Sequence, residues 1–266
     1  MASGQPVIGA DNRGLRYGDG LFETMRICDG VIGLEAFHFD RLFDSMGLLH
    51  FELPVTMTRE ALASQIQELC RRQGHLSSAR VRLMVFRGDG GLYDPSNHFP
   101  NYLIQSWPVE PLSPALNSNG LWIGIFEDGR KSMDRFSNIK SNNYLLYAMG
   151  ALHAKNQQLN DCLILNSHDR VCDSTMANLF CIKAGIVYTP ALSEGCVAGV
   201  MRRNILERLP KSGIPVREIQ MDPGFLLTAQ ELFLTNAIYR IRFVQRFGDQ
   251  LYSRSLTRDI YQELLK

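Results

Sequence analysis

Apolar and polar residues alternate along Leu21-Phe-Glu-Thr-Met-Arg-Ile27 and along Val31-Ile-Gly-Leu34, with Asp29-Gly30 between them. That pattern predicts a β-hairpin, because period-two alternation marks strands and Asp-Gly marks a tight turn. Residues 35–49 place Phe37, Leu42, Met46 and Leu49 at helical spacing, and 58–73 form a second helical stretch opened by Thr58 as a cap. Alternation returns at 79–86 and 102–107, predicting two more strands. Residues 108–120 hold three prolines and no periodicity, which reads as a linker. The expected division is a small N-terminal α/β domain over 1–108, a linker at 109–120 and a larger domain over 121–266.

The second half is denser in short strands, expected at 121–126, 161–166, 179–183, 186–189, 214–219, 231–235 and 238–247. Helices fall between them at 143–157, 200–209, 223–229 and 256–265, the third opened by an Asp222 cap with Pro223 at the first helical position. The Lys183-Ala-Gly-Ile186 turn argues for antiparallel pairing in much of this half. The fold class is α+β, in two domains with a cleft between them. No internal repeat is visible.

Composition narrows the function. A chain of 266 residues with net charge +1 has mixed charges throughout, so neither nucleic acid nor a membrane surface is an expected partner. No apolar run reaches the ~20 residues of a membrane helix. The start shows neither a basic nor an apolar leader region, so a cytoplasmic location is expected. Cys28, Cys70, Cys162, Cys172, Cys181 and Cys196 are scattered without a Cys-x-x-Cys pair. They read as reduced core residues, and the histidines lack ligand spacing, so no metal is expected.

The candidate chemistry begins at Lys140, in Phe136-Ser-Asn-Ile-Lys-Ser-Asn-Asn-Tyr144. About thirty residues on, Val171-Cys-Asp-Ser-Thr-Met-Ala-Asn-Leu-Phe180 sets Asp173 in an apolar strand and turn, and Gly195-Cys-Val-Ala-Gly199 opens a helix. An imine-forming lysine, a carboxylate and a helix N-terminus are what pyridoxal 5′-phosphate (PLP) asks of a protein. They serve its aldehyde, its ring nitrogen and its phosphate in turn. Taken singly, Lys140 and Arg41 would be solvated surface residues, Asp173 a turn residue and Tyr144 a core aromatic. Their order along the chain sets them apart.

With these segments in register, the chain resembles the class IV aminotransferases, the fold-type-IV PLP enzymes, over most of its length from Asp11 to about Phe247. Asp11-Asn-Arg-Gly-Leu-Arg-Tyr-Gly-Asp-Gly-Leu-Phe-Glu-Thr-Met-Arg26 is similar to that family's opening block. The resemblance implies PLP in the interdomain cleft of a homodimer acting on a small-molecule substrate. It implies that Lys140 carries the cofactor and moves the proton, that Arg41 pairs with the phosphate, and that Tyr144 bonds the cofactor's phenolic oxygen. Gly199 and Val200 would offer phosphate-binding N–H groups, with Thr235, Asn236 and Ala237 on the other side. Thr24 would aid the leaving group, and Tyr17, Arg87 and Tyr93 would face the substrate. Two departures stand out: Asp173 occupies the position of the usual Glu, and Ala237 that of a usual Thr.

Within the family, Thr235-Asn-Ala-Ile238 and Arg87-Gly-Asp-Gly-Gly-Leu-Tyr93 are similar to segments of 4-amino-4-deoxychorismate lyase, which makes 4-aminobenzoate for folate synthesis. A branched-chain or D-amino-acid aminotransferase is the alternative, and a non-catalytic ligand-binding homologue the third reading.

Overall fold

The computed structural model describes residues 8–94 and 96–265. Their contacts divide into two compact units. One runs to Pro111 and also takes Lys140–Asn143, while the other is made of Leu112–Ile139 and the chain from Tyr144 onward.

The first unit contains α1 (Arg13–Tyr17), β1 (Gly20–Cys28), β2 (Val31–Ile32), α2 (Glu35–Leu48), α3 (Arg59–Gln73), β3 (Ser78–Arg87) and β4 (Pro100–Pro108). Its sheet is antiparallel in the order β2-β1-β3-β4. The Asp29–Gly30 turn sets Ile27 opposite Ile32 and Cys28 opposite Val31, as the alternation predicted. Thr58 caps α3 by accepting from Ala61 N at 3.1 Å. Met25, Ile27, Phe39, Leu42, Met46, Ile66 and Leu83 are fully enclosed and form the core. Helix α1 is not foreseen from the alternation, because five residues capped by Asn12 carry no apolar stripe to reveal them.

The Lys140 segment lies along the start of β1. Phe22 N donates to Lys140 O and Asn142 N donates to Gly20 O, each at 2.9 Å, with Leu21 bridging Ser141. Gly20 is required for this approach, since a Cβ there would fall 2.2 Å from Val85 O and 2.5 Å from Asn142 Nδ2.

The second unit holds β5 (Leu121–Lys131), α4 (Leu145–Asn156), β6 (Asp161–Asn166), β7 (Val171–Ser174), β8 (Asn178–Lys183), β9 (Ile186–Pro190), α5 (Val200–Arg208), β10 (Val216–Ile219), α6 (Pro223–Leu227), β11 (Glu231–Asn236), β12 (Arg240–Phe247), β13 (Gln250–Leu251) and α7 (Ser255–Leu265). The strands run in the order β10-β9-β8-β11-β12-β5-β6-β7, with β13 beside β12. The pairs β10/β9, β12/β5 and β5/β6 are parallel and the rest antiparallel, so the sheet is mixed. The architecture is α+β. β5 continues past the expected end at 126 through polar Glu127-Asp-Gly-Arg-Lys131, which apolar alternation could not reveal. That extension brings Lys131 inside. All six cysteines are free, and all but Cys28 are buried. No helix among the described residues is long and apolar enough to cross a membrane.

Candidate active site

Successive side chains of a strand point to opposite faces. In β1, Glu23 points to α2, where its Oε1 accepts from Arg41 Nε at 2.8 Å and its Oε2 from Arg41 Nη2 and His38 Nδ1 at 2.6 Å each. Burial alone would raise this carboxyl, but the charges of Arg41 and then His38, with their hydrogen bonds, outweigh it and hold it at about 2. Phe22 and Thr24 point the other way. Lys140 Nζ lies 4.4 Å from the centre of the Phe22 ring, on the face that carries the Thr24 hydroxyl.

The three residues expected near substrate separate. Tyr17 and Tyr93 pair at 6.0 Å between ring centres, and Tyr93 is 89% exposed. Arg87 is buried and directed at the protein. Its Nε donates to Asp19 Oδ2 at 3.0 Å, its Nη1 to His50 O at 3.3 Å and its Nη2 to Leu49 O at 2.6 Å, while its plane covers Phe51 at 4.3 Å. Arg87 thus anchors the chain from which Tyr93 projects.

The second unit is organised around Asp173, 2% exposed on β7. Its Oδ2 accepts from Lys131 Nζ at 2.9 Å, Tyr147 OH at 2.8 Å and Val197 N at 3.0 Å, and its Oδ1 from Asn178 Nδ2 at 2.9 Å. Burial and then the Asp173 charge push the Tyr147 hydroxyl well above its usual value, so Tyr147 stays a donor. Asn178 Nδ2 also donates to Val197 O at 2.9 Å, which ties the approach to α5 onto β8. Tyr144 stacks on Tyr147 at 4.6 Å and donates its hydroxyl to Thr175 O at 3.1 Å. Thr235 stands opposite Asn178 in the β11/β8 register. Asn236 Oδ1 accepts from Ile238 N and Tyr239 N at 3.0 and 2.9 Å, which fixes the turn through Ala237.

Asp173, Tyr144, Gly199, Val200, Thr235, Asn236 and Ala237 therefore belong to the second unit, and Lys140, Thr24 and Arg41 to the first. Sequence reasoning missed Lys131, Tyr147 and Glu23. Tyr147 had a signal, since it lies three residues after Tyr144 on one helix face. Glu23 stood unassigned inside the opening block.

The Amino-transferase class IV family model matches residues 20–247. The chain belongs to the class IV aminotransferases. It is 31% identical over 233 residues to a Methanocaldococcus jannaschii protein assigned as a branched-chain-amino-acid aminotransferase, covering 86% of this chain and 79% of that one. It is 28% identical over 238 residues to the aminodeoxychorismate lyase of Vibrio harveyi, covering 88% and 85%. The crystal structure of 4-amino-4-deoxychorismate lyase from Pseudomonas aeruginosa superposes with a TM-score of 0.86 at 26% identity, over 98% of this chain and 96% of that one.

Class IV aminotransferases use PLP, and the residues of the second unit fit it. The α5 N-terminus has no side-chain cap, so its first N–H groups suit an anion. Gly199 is needed where the chain passes Asn178, since a Cβ there would meet Asn178 Oδ1 at 1.8 Å. Thr235 Oγ1, in a residue 1% exposed, has no hydrogen-bond partner among the described residues. A buried hydroxyl without a partner is costly, and a phosphate oxygen would supply one.

Proposed function

We propose that this class IV aminotransferase-family enzyme is a 4-amino-4-deoxychorismate lyase, cytoplasmic and homodimeric, that releases pyruvate from its substrate and leaves 4-aminobenzoate. The observation that carries the reading is the engagement of Asp173 by Lys131, Tyr147, Asn178 and Val197 N. A carboxylate shared with a protein cation supports a ring cation less strongly than an unshared one. That suits an elimination driven by formation of an aromatic product better than a transamination without such help. The lyase-like segments 235–238 and 87–93, and the similarity to two aminodeoxychorismate lyases, support the same choice.

PLP, when bound, supplies a sink for the electron pair left behind when a proton leaves the amine-bearing carbon. Lys140 is the amine for the cofactor's aldehyde, and its Nζ takes that proton. Thr24 shares the Lys140 face of β1, and its hydroxyl donates to the departing enolpyruvate oxygen. Arg41, the Gly199 and Val200 N–H groups and the Thr235 hydroxyl hold the phosphate, flanked by the Asn236–Ala237 turn. Tyr144 orients the ring, Asp173 serves its nitrogen, and Tyr17 and Tyr93 contact the substrate.

The deciding experiment gives aminodeoxychorismate to the purified protein without any keto acid. Catalytic formation of 4-aminobenzoate and pyruvate is expected. Stoichiometric bleaching by an amino acid, reversed by a keto acid and with no 4-aminobenzoate formed, would make the enzyme an aminotransferase.

A further inference from the structure

Lys131 ends β5 and Asp173 lies on β7, and β6 runs between those two strands. Their ion pair, Lys131 Nζ to Asp173 Oδ2 at 2.9 Å, therefore reaches over a strand that is already hydrogen-bonded to both. The sheet needs no such tie. The two side chains are only 10% and 3% exposed, so each is a nearly buried charge that would be costly without the other. Oδ2 takes three donors and Oδ1 one, so the carboxylate's remaining acceptor capacity lies on Oδ1.

We propose that Lys131 is a built-in counter-ion for the cofactor-binding carboxylate. It compensates the Asp173 charge and aims the carboxylate while no cofactor is bound, and it shares the carboxylate with the ring nitrogen afterwards. Lys131 is thus a positioning residue that sets how much the protein gains from a cation on the cofactor ring. The inference rests on the reading of Asp173 as the partner of that nitrogen. A lysine that only braced the sheet would contribute equally with and without cofactor. A counter-ion would matter most when the ring cation is absent.

The test compares wild type, Lys131→Met and Lys131→Arg, each melted without cofactor, with PLP, and with the 1-deaza analogue whose ring has carbon in place of nitrogen. Cofactor-free Lys131→Met should melt lower than wild type by on the order of 10 °C. PLP should recover more than half of that loss, and the analogue should recover none beyond the rise it gives wild type. Lys131→Arg should track wild type in all three states, because it restores the charge. If Lys131→Met folds only with cofactor, rescue by PLP and not by the analogue supports the proposal, and rescue by both or neither overturns it. An equal PLP-induced rise in wild type and Lys131→Met also overturns it while leaving the cofactor reading intact. A wild type that gains nothing from PLP would bring down the cofactor reading as well.

Discussion

Glu23 grips Arg41 along one edge of the guanidinium, with Nε at 2.8 Å from Oε1 and Nη2 at 2.6 Å from Oε2. A guanidinium held in this way has its plane fixed, so less freedom is lost when it meets a phosphate. Glu23→Gln replaces one acceptor oxygen by an NH2 that opposes the arginine. We expect retention of PLP in equilibrium dialysis to weaken roughly tenfold, as suits the loss of one charge-assisted bond. Unchanged retention would take Arg41 out of the phosphate site.

The same carboxyl predicts an acid limit. Its folded value of about 2 lies below the ordinary 4.5, so its contribution is complete above that ordinary value and disappears as pH falls through the folded one. The loss is on the order of 3 kcal/mol. Urea midpoints measured from pH 5 to pH 2 should fall steeply in wild type and more gently in Glu23→Gln. An equally steep fall in the variant would assign the acid limb to another group.

Much of this was legible in the sequence because periodicity reports burial. The 161–166 strand matches β6 end to end, and the Thr58 and Asp222 caps stand where the pattern put them. The site was legible only as residue types in a familiar order. That Arg41 is clasped by Glu23, that Arg87 is spent on Leu49 O, His50 O and Asp19, and that Asp173 carries a lysine are relations across long stretches of chain. Lys131 is the plainest case, since it follows four polar residues and reads as surface until β5 is seen to carry it inward.

Lys140→Ala tests the central assignment by colour. Without that amine the variant should lose the yellow absorbance of the wild-type holoenzyme, yet still retain some PLP through the phosphate contacts. Were the variant as yellow as wild type, another lysine would have to be the one that meets the aldehyde.

Thr235→Val separates a phosphate ligand from a structural hydroxyl. The Oγ1 atom has no partner among the described residues, so its removal should cost the cofactor-free protein less than about 0.5 kcal/mol and could raise its stability. PLP binding should weaken by about 3–10-fold, the value of one hydrogen bond. A large loss of cofactor-free stability with unchanged PLP affinity would assign the hydroxyl to the fold.

Asp173→Glu asks why this chain keeps the shorter acid. If only reach to a ring nitrogen mattered, the longer side chain would be tolerated or would even help. The four donors, however, close on the aspartate at 2.8–3.0 Å from α4, β5, β8 and the approach to α5. One added methylene drives the carboxylate into them, and overpacking at a buried site costs about 1–3 kcal/mol. Asp173→Asn should cost more, since it strands the Lys131 charge and turns an amide against at least one donor. Urea unfolding of the cofactor-free variants should therefore rank wild type above Asp173→Glu and Asp173→Glu above Asp173→Asn. If Asp173→Glu equalled wild type, the cluster would be loose enough to take either acid, and the aspartate would owe its place to the ring it serves and not to the donors that hold it.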